Sequence, residues 1–352
     1  MPDTFATVLL RRMAVPLLSL LLSACSTIDY YAHLGQGQWQ LLHAREPVQR
    51  LLEDPATDPD LARRLALSQQ ARDFASTQLQ LPENRSYRLY ADLGRPFVVW
   101  NVFATPEFSL EPELHCFPIA GCVAYRGYYQ QGRARGAAAL LRQQGLDTYV
   151  GGVEAYSTLG WFDDPLLNTM LRWSDERFIA VIFHELAHQQ YYLPGDTAFN
   201  ESFATFVERE GLRQWHTARG EAPPAGDDRQ RQQFIELVLA SRERLKQLYA
   251  SDLPEHAMRA AKQAEFERLR YDYRAMRQQW GGQGRYDAWI ESPLNNAKLL
   301  PFGLYDQWVP AFAALFEEQG RDWRAFYAAV AALGRLPQAA RQAKLEDLMR
   351  HH

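Results

Sequence analysis

The run Val181-Ile-Phe-His184-Glu185-Leu-Ala-His188 sets two imidazoles four residues apart, with a carboxylate next to the first. In a helix that spacing puts both rings on one face, about 6 Å apart along the axis. Both can reach a single metal ion at about 2.0 Å, while Glu185 stands beside the ion rather than on it. A cation held this way lowers the pKa of bound water to about 7, so hydroxide is available near neutral pH. Glu185 can take the water's proton and hand it to a leaving amine. The chemistry implied is hydrolysis. It needs a third protein ligand, and Phe199-Asn200-Glu201-Ser-Phe-Ala-Thr-Phe-Val-Glu208 opens a second helix after the turn Tyr191-Tyr-Leu-Pro-Gly-Asp196. The Pro-Gly turn folds this helix back on the first, which lets Glu201 in its first turn face the histidines. A tetrahedral intermediate gains negative charge and calls for a donor. Tyr156, Tyr271 and Tyr305 are candidates that the sequence does not rank.

Several elements must position these groups. Ser174 as N-cap, with Asp175 and Glu176 against the helix dipole, predicts a helix start there. Residues 27–80 read as helical, with Pro55 and Pro59 as breaks. Strand-like runs follow at Tyr87–Tyr90, Pro96–Phe103, Val123–Tyr129 and Asp147–Val150, with a short helix over 136–144 ending at Gly145. From Ser174 onward the pattern is mostly helix. A polar helical pair over about 227–280, broken at Ser251-Asp-Leu-Pro254, reads as a solvated hairpin. Trp308, Phe312, Leu315, Trp323 and Phe326, in helices over about 302–318 and 322–333, read as core. No repeat or clear linker appears. The expectation is one α+β domain over 25–352, helix-rich, with a small sheet at about 86–160 before active-site helices at about 174–216.

Composition narrows the class. The 352 residues carry 38 Lys plus Arg against 42 Asp plus Glu, a net charge of -4, and 47% are hydrophobic. That is a folded globular chain, not a disordered one. No basic block supplies the footprint of a nucleic-acid binder, so no nucleic-acid partner is expected. Arg11 and Arg12 precede the apolar run 13–24, and Cys25 follows it. A basic flank and a run too short to anchor by spanning describe an export signal, here residues 1–24. Leu22-Ser23-Ala24-Cys25 resembles a bacterial lipobox, which implies acylation of Cys25 and a membrane partner reached through that lipid. Ser26 after the Cys implies, by the same resemblance, the outer rather than the inner membrane, on the periplasmic face. An ordinary secretory signal or a short buried helix is the alternative. In an oxidising compartment Cys116 and Cys122, six apart around Pro118 and Gly121, are candidates for a disulfide, with two buried thiols as the alternative.

His184-Glu-Leu-Ala-His188 followed by Asn200-Glu201-x-x-Ala204 resembles the gluzincin metallopeptidases, a group that includes thermolysin and the zinc aminopeptidases. A bacterial aminopeptidase family with many lipoproteins is more similar still, through Gly121-Cys-Val-Ala-Tyr-Arg-Gly127, Ala155-Tyr-Ser-Thr-Leu-Gly-Trp161 and Leu294-Asn-Asn-Ala297. The resemblance implies a zincin-like fold, one Zn²⁺ on His184, His188 and Glu201, Glu185 as general base, and a peptide substrate. Thermolysin-like proteins place the ligand Glu nearly twenty residues after the second His, a spacing that favours Glu208 over Glu201. The Asn-Glu-x-x-Ala match favours Glu201, and Glu208, about 10 Å further along the helix, then suits a partner to a ligand His. Glu154, in Gly151-Gly-Val-Glu154-Ala, stands where the large zinc aminopeptidases carry a Glu that holds the substrate's free amine. Here the Met and Asn of that motif are absent, and a surface carboxylate is the alternative. An aminopeptidase is expected. An endopeptidase or peptidoglycan-peptide hydrolase with the same centre, and a catalytically silent lipoprotein scaffold, are the rival readings.

Overall fold

The computed structural model describes residues 27–117, 121–155, 157–158, 160–221, 227–282, 284–302 and 307–350. The chain forms two units, Met1–Arg45 and Glu46–His352. The first contains helix α1 over residues 27–43. Strand β1 (Arg45–Pro47) leads into the second, which opens with α2 (Val48–Glu53) and α3 (Pro59–Thr77). Pro55 breaks the helical run as expected. Pro59 closes the break and occupies the first position of α3, where a missing N–H costs nothing. Just before it, the Asp58 carboxylate accepts from the Asp60 and Leu61 N–H groups at 3.0 Å each.

The strands follow: β2 (Leu89–Ala91), β3 (Val99–Thr105), β4 (His115–Phe117), β5 (Gly121–Val123), β6 (Arg126–Tyr128), β7 (Asp147–Val153) and β8 (Leu166–Leu167). An antiparallel sheet takes the order β6–β3–β7, with Asn101 opposite both Gly127 and Gly151. β2 pairs in parallel with β8. The expected strand Val123–Tyr129 is two strands parted at Ala124-Tyr125, because β5 turns away to pair with β4. In that hairpin Cys116 lies opposite Cys122 and the two form a disulfide. The short helix expected over 136–144 is longer, α4 (Gln131–Gln143), and the chain leaves it through Gly145 at φ +84°. α4 packs on β3 and β7.

Helices complete the chain. A 3₁₀ turn (Asn168–Arg172) precedes α5 (Asp175–Gln190), α6 (Thr197–Arg219), α7 (Asp227–Tyr249) and α8 (Glu255–Gln279). Then come α9 (Asp287–Glu291), α10 (Asn296–Leu299), α11 (Val309–Glu318), α12 (Trp323–Gly334) and α13 (Gln338–Arg350). The α7–α8 pair is more than a solvated hairpin. Phe234, Val238, Leu245, Phe266, Leu269 and Tyr273 turn inward and form a core with Ile290 and Leu299. The aromatics of the last helices pack against α6, with Phe199 and Phe312 centroids 5.1 Å apart and Phe206 and Phe326 also 5.1 Å apart. Among the described residues no helix is long and apolar enough to cross a membrane. The result is a helix-rich α+β architecture, as expected.

Candidate metal centre

α5 starts where the sequence placed it. The Ser174 hydroxyl accepts from the Arg177 N–H at 3.3 Å, and Asp175 accepts from Arg63 at 2.7 Å and from Arg64. Both arginines project from α3, so the first turn of α5 is fixed against a neighbouring helix. Two and a half turns on, the His184 and His188 rings come together with centroids 4.9 Å apart and planes at 82°. Glu201 Oε2 from α6 lies 3.3 Å from His184 Nε2 and 3.7 Å from His188 Nε2. One donor atom from each of the three residues falls within 4.8 Å of the others, so this group could hold a metal ion. Two imidazole nitrogens and one carboxylate oxygen match the donor set of a zinc site that keeps a position open.

Three contacts aim Glu201. Asn200 next to it is buried and grips the Leu193 peptide from both sides. Its Oδ1 accepts from the Leu193 N–H and its Nδ2 donates to the Leu193 carbonyl, both at 2.8 Å. Asp196 caps α6 by accepting from the Phe199 N–H at 3.1 Å. Its other oxygen takes Nη2 of the buried Arg341 on α13 at 2.7 Å. Further along, Gly211 lets α6 approach α5 closely, since a Cβ there would stand 3.0 Å from Phe183 and 2.7 Å from Leu79. The Asn of the Asn-Glu pair thus fixes the turn so that its neighbour faces the histidines.

Glu208, two turns beyond Glu201, takes the opposite side of the His184 ring, with Oε2 2.9 Å from Nδ1. A carboxylate only accepts, so Nδ1 carries a proton for Glu208, and Nε2, which faces Glu201, is the nitrogen that would give up its proton to a metal. Burial alone would lower the His184 pKa, but hydrogen bonds to Glu201 and Glu208 raise it well above its ordinary 6.5. Burial acts on Glu201 in the upward direction. The two histidines outweigh it and hold this carboxyl at about 2. Glu185 is buried beside the cluster, and its pKa is raised by burial, with Glu201 and Asp164 adding to the effect against the two histidines. A carboxylate that prefers its proton more than usual is suited to accept one.

The structure brings His184, Glu185, His188, Glu201 and Glu208 together. It treats the other candidates differently. Glu154 Oε1 accepts from Arg172 at 3.2 Å, and its Oε2 accepts from Trp173 Nε1 at 2.7 Å and from Arg177 at 3.1 Å. With two guanidinium groups on it, this carboxylate is a poor anchor for a substrate amine. Tyr271 lies on α8 at 70% exposure. Tyr156, Tyr305 and Cys25 lie outside the described residues. Two tyrosines not singled out from sequence stand at the site. The Tyr192 ring meets His188 edge-on at 6.4 Å. Burial raises the pKa of Tyr125, and the charges of Glu201 and Glu185 raise it further, so its hydroxyl stays a donor. Tyr125 follows the disulfide hairpin, which seats tightly: a Cβ on Gly121 would come 2.9 Å from Gly195 N in the α5–α6 turn. No local pattern reveals that contact, although Tyr125 lies within the Gly121–Gly127 run.

A His-Glu-x-x-His helix turned against a helix that brings Glu201 to the two imidazoles defines a helix-rich α+β protein with a group of side chains that could hold one metal ion. The chain belongs to the family described as "Putative aminopeptidase", whose model matches residues 29–345. No curated protein and no solved structure matches it.

Proposed function

We propose that the protein is a zinc-dependent aminopeptidase of zincin-like fold, tethered through acylated Cys25 to a bacterial envelope membrane and facing the periplasm. The observation that carries the hydrolytic reading is the convergence of His184 Nε2, His188 Nε2 and Glu201 Oε2 within 4.8 Å, with Glu185 buried alongside. A zinc ion bound there supplies Lewis acidity that lets water attack a carbonyl near neutral pH. Glu185 accepts the proton of the attacking water and returns it to the leaving amine. Glu208 holds His184 in the tautomer that presents Nε2. Tyr125 and Tyr192, whose pKa values are both raised by burial and by Glu201, are the candidate donors to a developing oxyanion among the described residues. Family membership supports peptides as substrates, and the amino-end preference rests on the family description alone.

The test compares wild type with Glu185→Gln for zinc content and for cleavage of free-amine and N-acetylated peptides. Zinc should be stoichiometric in both. Turnover of free-amine peptides should fall about 10²- to 10⁴-fold in the variant, with kcat affected more than KM. Cleavage untouched by the substitution refutes the role of Glu185. Equal cleavage of acetylated peptides refutes the amino-end preference.

A further inference from the structure

The open side of the metal centre can be located from Glu185. A base that takes a proton from the attacking water must stand within hydrogen-bond reach of it, so the face of α5 that carries Glu185 is the face the substrate carbonyl must approach. Gln189 lies four residues on, hence on the same face, about 6 Å further along the axis. The loop between β7 and β8 rests on that residue. A Cβ on Gly160 would stand 3.8 Å from the Gln189 side chain, and Gln189 Nε2 donates to Asp164 at 3.3 Å. The charge of Asp164 is felt at Glu185.

The loop is held from beneath. Asp164 is buried, and its carboxylate accepts from the Thr158 N–H at 3.0 Å, the Thr158 hydroxyl at 2.7 Å and the Ser157 hydroxyl at 3.2 Å. A buried carboxylate is costly unless such donors surround it, so their convergence fixes the backbone on either side. Thr158 also accepts the Phe162 N–H on its hydroxyl at 3.1 Å and the Trp161 N–H on its carbonyl at 3.1 Å, and the chain turns through Gly160 at φ +80°. Ser86 accepts from both Asp164 N–H and Gln189 Nε2, which ties the loop and α5 to one further anchor. Yet the residues presented by this fixed turn are apolar: Trp161 is 66% exposed and Phe162 47%. Two adjacent aromatic rings are thus kept in water on a rigid support, one helical turn from the base.

We propose that Trp161 and Phe162 form a wall of the substrate site that receives an apolar side chain of the bound peptide, and that Asp164 positions it. The enzyme then prefers peptides with a large apolar residue at one position. The inference rests on the peptidase reading, because Glu185 marks the substrate side only if it is the base. Covering an apolar side chain with two aromatic rings is worth about tenfold or more in specificity.

The experiment uses the zinc-loaded full chain and free-amine pentapeptides of Ala and Ser in which one Leu is moved along the sequence, each with a Gly twin. Binding is measured by calorimetry on Glu185→Gln, and kcat/KM on the active protein, in each case with and without Trp161→Ser/Phe162→Ser and with and without Asp164→Asn. At one position the Leu peptide should bind at least about tenfold more tightly than its Gly twin. The double substitution should abolish that ratio, and Asp164→Asn should reduce it with both rings still present. A ratio between twins cancels any change in the base itself, since Glu185 serves both peptides alike. The double variant alters only exposed side chains, so it decides the matter even where Asp164→Asn does not fold. Equal binding of the twins at every position, a preference that survives the double substitution, or no binding of any peptide overturns the proposal. So does a double variant that binds peptides unchanged but, in Cys25→Ser protein, loses affinity for phosphatidylethanolamine–phosphatidylglycerol vesicles, because the rings would then face lipid. Cleavage without a Leu preference refutes the wall and leaves the peptidase reading standing. A Leu preference lost with the rings, in a protein that cleaves none of the peptides, keeps the wall and removes the peptidase reading.

Discussion

Removing the Glu208 carboxylate separates the ligand role from the supporting one. In the structure His184 lies between two carboxylates, with Glu201 3.3 Å from Nε2 and Glu208 2.9 Å from Nδ1. If a metal takes Nε2, then Glu208→Ala leaves all three ligands in place and removes only the acceptor that orients the ring. Losing such a partner typically lowers metal affinity about 10- to 100-fold, or about 1.4–2.7 kcal/mol. Glu208→Gln keeps an acceptor oxygen near Nδ1 but gives up the charge. A charge-assisted hydrogen bond is roughly twice as strong as a neutral one, so about half that free energy should be lost, a fall of about 3- to 10-fold. Glu201→Ala is a different case, because it removes one of three ligands and should abolish stoichiometric binding. Zinc affinity measured by competition with a chromophoric chelator at neutral pH orders the three variants, and circular dichroism checks that each is folded. The expected order of loss is Glu201→Ala, then Glu208→Ala, then Glu208→Gln. A Glu208→Ala protein that loses its zinc while Glu201→Ala keeps it would exchange the two roles. An affinity unchanged within twofold in Glu208→Ala would show that the contact orients nothing of consequence.

Three further substitutions test what surrounds the centre. Arg341→Met breaks a pair whose side chains are only 8% and 17% exposed, and it leaves Asp196 charged at the start of α6. Breaking a buried pair costs about 3–5 kcal/mol, which urea unfolding will read, and zinc affinity should fall with it because Glu201 lies in the next turn. A change below about 1 kcal/mol would show that the clamp is dispensable. Lys298 is 2% exposed, and burial lowers its pKa to about 8, with Arg270 adding to the effect. The folded state therefore binds fewer protons than the unfolded state between pH 8 and 10.5. Stability should rise across that window, by at most about 3 kcal/mol, and the cost is fully present below it. Unfolding of wild type and Lys298→Met at pH 7.5 and 10 isolates this term; an equal change in both proteins refutes it. Cys25→Ser should prevent incorporation of labelled fatty acid and release the protein from membranes, and a wild-type chain that never takes up the label overturns the anchor.

The secondary structure that could be read from sequence was the part set by neighbours along the chain. Ser174, followed by two acids, marks a helix start because the cap and the dipole act within one turn, and α5 begins there. The same local logic holds at Pro55 and Pro59, since a proline stops a helix that reaches it and starts one that follows it. α13 falls in the stretch read as mostly helix, but its bounds were not legible because Gln338-Ala-Ala-Arg-Gln-Ala-Lys carries little apolar pattern, and the helix docks through Arg341, Leu345 and Leu348. The α7–α8 pair reads as solvated because its many charges are mixed in sign. Those apolar residues nevertheless share one face, and α9 and α10 cover it.

The candidate site divides along the same line. His184, Glu185 and His188 need only one helix to come together, so their spacing carried nearly all of the information. The choice between Glu201 and Glu208 could not be made by spacing, because it depends on how α6 leaves the turn. That direction is set by Asn200 on the Leu193 peptide and by Asp196 between the Phe199 N–H and Arg341, the last of these 145 residues further along the chain. Once the turn is fixed, both glutamates fall on the same side of α6 and meet opposite nitrogens of one ring. The spacing that made them rivals is what allows them to act together. One imidazole offers two nitrogens on opposite edges, and carboxylates seven residues apart on a helix can reach both. His184 can then be held in one tautomer by the second carboxylate while it shares a metal with the first. Tyr125 and the placing of Trp161 and Phe162 are long-range products of the fold. The first depends on a disulfide hairpin pressed against Gly195, and the second on Asp164 bonded to Gln189 of α5. The groups that would hold the metal are therefore written locally, and those that would meet the substrate are supplied by packing.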